Sequence, residues 1–95
     1  MIIPLPRSVP GSDAYWADRK AAFALIADLQ AAIGHRNRAP RYIAGPGYDR
    51  ERNPGAVIEN LGPWNRVAAL QDAALANPTV IQILTAQCRL DLLSS

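Results

Sequence analysis

Residues 34 to 55 read GHRNRAPRYIAGPGYDRERNPG, and no other stretch constrains the fold as strongly. Five arginines, four glycines and three prolines fall within these 22 residues, with no lysine. The segment is about twice as long as an ordinary connection in a compact domain, and loops of that size are usually functional or disordered. A chain carrying it must build its core from the residues on either side.

Upstream, DAYWADRKAAFALIADLQAAI places Tyr15, Ala22, Ile26, Leu29 and Ile33 on one helical face, with Phe23 and Leu25 at its flanks. Ser12 or Asp13 can cap this helix over 13–33. Gly34 stands where a left-handed C-cap is wanted, and His35, Arg36 and Arg38 suit the negative end of the dipole. Downstream, Pro63 opens a second helix over 63–76, with Trp64, Val67, Leu70, Ala74 and Leu75 apolar. Asn77-Pro78 then interrupts it and starts a third over 78–93. Its buried stripe would be Val80, Ile81, Leu84, Cys88 and Leu92.

Within the long segment, 34–55, Arg41 to Ala44 predicts a short extended piece, and Gly45-Pro46-Gly47 a turn. One helical turn is expected around Ala56 to Asn60. At the other end of the chain, residues 1–12 carry Pro4, Pro6, Pro10 and Gly11 among Met1, Ile2, Ile3, Leu5 and Val9. Alternate prolines forbid a helix and favour an extended apolar arm. The expected fold is therefore all-α: a single small three-helix domain with an extended Pro-rich arm and a long Arg/Gly/Pro-rich loop between helices 1 and 2.

Several kinds of chemistry are excluded by their missing parts. His35 and Cys88 are the only histidine and cysteine, too few for a zinc site and too few for a disulfide. Cys88 reads as a small buried hydrophobe. The serines are Ser8, Ser12, Ser94 and Ser95, none placed as the nucleophile of a triad. GPGYDRERNPG lacks the Lys-Ser/Thr that a phosphate loop needs. Asp49 and Glu51 around Arg50 read as a self-neutralising surface turn rather than paired acid–base carboxylates. Thr-Val followed by Ile-Leu in ALANPTVIQILTAQ resembles the recognition helix of helix-turn-helix proteins, but Asn77-Pro78 is too short a joint for that motif. No catalytic residue, metal or cofactor is expected, and no small-molecule substrate.

No signal peptide or membrane span is legible, so a cytoplasmic location is expected, or a virion if the chain is phage-encoded. Net charge is only +2, too weak for a general polyanion-binding field, yet arginines outnumber lysines nine to one. Arginine makes planar, bidentate and stacked contacts, and Arg with Tyr is the composition enriched at protein interfaces. The expected role is non-enzymatic: a small structural or accessory subunit docking on a protein partner, in a larger assembly or as a homo-oligomer. A virion or tail component, an enzyme accessory subunit and a small inhibitor all fit. Arg36, Arg38, Arg41, Tyr42, Tyr48, Arg50 and Arg52 would make the loop contacts, and Ile2, Ile3, Leu5 and Trp16 those of the arm. The alternative is a nucleic-acid-binding module using the same arginines for phosphate and the tyrosines for stacking.

Overall fold

The structure, a computed structural model, describes residues 11–94. Ile2, Ile3 and Leu5 of the expected arm lie outside the described residues. The chain is mostly helical: α1 (Asp13–Arg38), a hairpin of β1 (Tyr42–Ala44) and β2 (Val57–Glu59), α2 (Gly62–Leu75), α3 (Pro78–Ala86) and a final 3₁₀ turn (Leu90–Leu93). The all-α expectation is thus corrected by a small two-stranded sheet.

Helix α1 starts where its cap predicts. The Ser12 hydroxyl accepts from the Tyr15 N–H at 3.1 Å, after Gly11 has turned the chain at φ +85°. It does not stop at Gly34, as a glycine C-cap would require, but runs on to Arg38. Glycine in mid-helix costs about 1 kcal/mol against alanine, which is not enough to break a helix continuing into His35, Arg36 and Arg38 at its negative end. The stop is set by Pro40, whose ring pushes the preceding Ala39 out of the helical region to ψ 143°. The missing side chain at Gly34 is used locally: an Arg38 guanidinium nitrogen lies 3.2 Å from where a Cβ would stand.

Between α2 and α3 the Asn77 side-chain oxygen accepts from the N–H groups of Thr79 and Val80 at 3.1 and 3.3 Å, with Pro78 at the first helical position. Both features are legible in the sequence. The core lies among the three helices: Ala22, Ile26, Leu29 and Ala32 from α1, Val67 and Ala74 from α2, Val80, Ile83 and Leu84 from α3, and Leu92. It contains no aromatic side chain. Gln71, a polar residue on the inward face of α2, is also buried, and its amide donates to the carbonyls of Leu92 and Ser94 at 3.1 and 3.3 Å. That pairing ties the last turn to α2.

The third helix is shorter than predicted. It ends at Ala86, and Cys88 is exposed in the left-handed region at φ +54°, so its reading as a buried stripe residue is corrected. The Arg89 N–H donates to the Leu84 carbonyl at 2.8 Å and the Cys88 N–H to Thr85 at 3.2 Å, a Schellman closure with cysteine where glycine is usual. Left-handed backbone costs a non-glycine residue about 1–2 kcal/mol. Cys88→Gly should therefore raise stability by about 1 kcal/mol in urea unfolding. An unchanged midpoint would contradict this closure.

The hairpin replaces the helical turn expected around Ala56 to Asn60. Strands β1 and β2 pair antiparallel, with Tyr42 opposite Glu59, Ile43 opposite Ile58 and Ala44 opposite Val57. They pack on each other rather than on the helices. The molecule is accordingly elongated, 64 × 27 × 17 Å, with a radius of gyration of 18.6 Å. A compact chain of this length would have about 12 Å.

Candidate docking end

The hairpin is built from turns that the sequence spells out. Gly45-Pro46-Gly47-Tyr48 closes with a 3.0 Å bond from the Tyr48 N–H to the Gly45 carbonyl, with Gly47 at φ +78°. Proline second and a positive-φ glycine third define a type II turn. Space at Gly45 is also tight, because a Cβ there would stand 3.0 Å from Ile58 Cγ2 and 3.2 Å from the Ala56 carbonyl, and these neighbours would have to give by a few tenths of an ångström. Beyond it, the Asp49 carboxylate accepts from the N–H groups of Glu51 and Arg52 at 2.9 and 3.0 Å, and Asp49 bridges Asn53.

These bonds, first from Arg52 and then from Glu51, hold the Asp49 carboxyl below its ordinary pKa of 3.8. A lowered folded value means that the contribution is complete above the unfolded value and is lost as pH falls through the folded one. In an NMR titration the Glu51 and Arg52 amides should therefore move with a midpoint below 3.8. A midpoint at or above it would remove Asp49 from this role.

At the base of the hairpin three elements meet on one indole. Arg36 from the last turn of α1 lies 4.8 Å from the Trp64 ring centroid, and Arg41, just before β1, lies 5.8 Å away. Trp64 itself stands in the first turn of α2. Glu59 of β2 forms a 2.9 Å ion pair with Arg41, offsetting part of the repulsion between the two guanidiniums. Asn60 completes the joint, its side chain donating to the Pro40 carbonyl at 3.1 Å. Cation–π contacts at exposed sites contribute about 0.5–1 kcal/mol each, enough to orient the hairpin on the helices.

Of the predicted loop residues, Arg36 and Arg38 belong to α1, Arg41 and Tyr42 to the hairpin base, and Tyr48, Arg50 and Arg52 to the tip. The structure brings Arg36 and Arg41 together through Trp64, a residue that helical spacing assigns to the apolar stripe of α2. Among the described residues Arg38, Arg50 and Arg52 make no ion pair. Trp16, predicted with the arm, is exposed on α1 with its ring edge-on to Tyr15 at 5.1 Å. It lies near the opposite end of α1 from the hairpin.

What composition could not reveal is where the large apolar groups go. Five of the six aromatic side chains are exposed. Tyr42, Ile43, Tyr48, Val57, Ile58, Leu61 and Trp64, all exposed, cluster in the hairpin and the turn after it. An open cleft of about 340 Å³ lies elsewhere, between α1 and the α2–α3 junction, lined by Asp18, Ala21, Ala73, Ala76, Asn77, Pro78 and Thr79. Asn77 is occupied there by capping α3. Among the described residues no group of His, Cys, Asp or Glu is arranged to hold a metal ion, and no helix is long and apolar enough to cross a membrane. Compared with protein-family models, with curated proteins and with solved structures, the chain matches none.

Proposed function

We propose that this chain is a non-enzymatic structural or accessory subunit that docks on protein through its hairpin end. One observation carries the reading: the large apolar side chains that a small core would normally bury stand exposed together on a two-stranded projection. An isolated hairpin of this size is marginally stable in water, and contiguous exposed apolar surface marks an interaction site. Tyr42, Tyr48 and Trp64 are the residue types that anchor protein interfaces, with Arg38, Arg50 and Arg52 around them as a charged rim. Nucleic-acid binding by the same arginines is the weaker reading. Arg36 and Arg41 are turned onto Trp64, and Asp49, Glu51 and Glu59 share the hairpin with them.

The test is the size of the species in a gentle lysate of the source cell, followed by gel filtration with an antibody to the chain. The chain should elute well above twice its 10.3 kDa mass and stay there from low to high salt. Elution at or below that mass would sink the accessory-subunit reading. Dissociation of a larger species that scales steeply with salt would favour nucleic acid instead.

A further inference from the structure

The two edges of the hairpin are not equivalent. The bonds from Asn60 N–H to the Arg41 carbonyl and from Gly45 N–H to the Ala56 carbonyl fix which residues face inward. Bonded and non-bonded pairs alternate along an antiparallel ladder, so 41, 43 and 45 face β2. Tyr42 and Ala44 therefore direct their N–H and C=O groups outward on one edge, and Val57 and Glu59 theirs on the other. The β2 edge is partly closed by its own turns: the Val57 N–H donates to Gly55 at 2.9 Å and the Glu59 carbonyl accepts from Leu61 at 3.2 Å. Among the described residues no backbone bond uses the outward groups of Tyr42 or Ala44. Strand β1 offers two donors and two acceptors in a row, with neither proline nor charge within it to discourage pairing.

This edge is complementary to itself. When two β1 strands lie antiparallel about a two-fold axis at Ile43, Tyr42 of each copy stands opposite the partner's Ala44 in a bonded pair. Every outward donor then meets an outward acceptor. Neighbouring registers fail. A slide of one residue sets outward groups against inward ones. A slide of two brings the partner's Pro40 opposite Ala44, or its Pro46 opposite Tyr42, and proline has no N–H to give. The side chains agree with the same register. Tyr42 stands beside the partner's Ala44 and Arg41 beside the partner's Gly45, large against small, and no like charges meet. Ile43 meets the partner's Ile43, so Ile58 and Ile43 of both copies make one apolar row across the sheet.

We infer that the β1 strands of two copies pair edge to edge in this register, forming one four-stranded antiparallel sheet in the order β2-β1-β1-β2. The inference rests on the docking reading of the hairpin and names one occupant of that end. The hairpin packs on itself rather than on the helices and the molecule is elongated, so the β1 edge stands free of the helical core. Two strands alone are marginally stable in water, and three or more with an apolar face are needed for independent stability. The contact also closes. Its outer edges are the two β2 strands, each carrying Glu59 and covered in part by its own turns, so the sheet ends at four strands and forms no fibre. With three residues of strand from each copy the interface is small, and the dimer is a weak one whose population rises with concentration.

The experiment is sedimentation equilibrium of the full chain up to about 1 mM, which detects dissociation constants of that order. The chain should pass from monomer to dimer as concentration rises. Ala44→Pro removes one outward donor from each copy and no bond within the hairpin. It should weaken the dimer at least tenfold with unchanged helical circular dichroism. In a Cys88→Ser background an introduced cysteine is the only one, so any disulfide joins two chains. Ile43→Cys should oxidise readily to a covalent dimer, since facing residues of a non-bonded pair have Cα atoms about 4.5 Å apart, within disulfide range. Ile58→Cys is the control: it is more exposed, 47% against 38%, yet would lie three strand spacings from its counterpart, roughly 14 Å. A chain monomeric at every concentration, a dimer indifferent to Ala44→Pro, or Ile58→Cys linking as readily as Ile43→Cys would each overturn the inference. The accessory-subunit reading fails separately: a dimer with no larger cellular complex defeats that reading alone, and a larger cellular complex beside a monomeric purified chain defeats this one alone.

Discussion

Leu29→Ala will destabilise the chain by about 3 kcal/mol, within the range of roughly 2–5 kcal/mol for truncating a fully buried leucine. Leu29 and Leu84 are the largest side chains wholly removed from solvent, and three of the ten core residues are already alanine. So small a core has few neighbours able to move into the space. A domain of this length has a total stability of about 5–14 kcal/mol, so the variant loses a large part of it. Urea unfolding monitored at 222 nm measures the loss. A change below about 1 kcal/mol would mean that Leu29 is not central, since surface substitutions fall within roughly half that value.

The second large effect is on association rather than folding. Ile43 and Ile58 face each other across the hairpin, 38% and 47% exposed, and neither belongs to the core. Replacing both by threonine keeps the β-branch that suits a strand and removes most of the apolar face. Helical content and urea midpoint should change little, while binding to a partner or second copy should weaken at least tenfold. Gel filtration of the source-cell lysate and sedimentation of the purified chain both read this. If the double variant lost helical structure instead, the isoleucines would be serving the fold. If it associated as tightly as the parent, docking would have to lie on another surface.

Much of the secondary structure was legible because its signals are local. Ser12 and Asn77 cap the helices after them through bonds spanning three residues or fewer. Gly45-Pro46-Gly47 turns the chain because proline and glycine preset the two dihedrals that the turn needs. The inward positions of α1 at Ala22, Ile26 and Leu29 follow helical spacing. Even the extended piece at Tyr42 to Ala44 could be read, since aromatic Tyr42 and β-branched Ile43 favour a strand.

The misplaced features share a different cause. Val57 to Glu59 is a strand only because Tyr42 to Ala44 arrives beside it across twelve intervening residues, a pairing that no local pattern announces. Gln71 is buried while Leu75 is exposed because the carbonyls of Leu92 and Ser94 end up over that part of α2. Cys88 leaves the helix because the chain must fold back to bury Leu92. Trp64 turns outward onto Arg36 and Arg41, from elements far apart in the chain. The sequence by itself determined the helices, their caps and the tight turns, since each depends on torsions and bonds within a few residues. Tertiary structure alone decided which apolar groups stayed outside, because burial depends on what else reaches the same place.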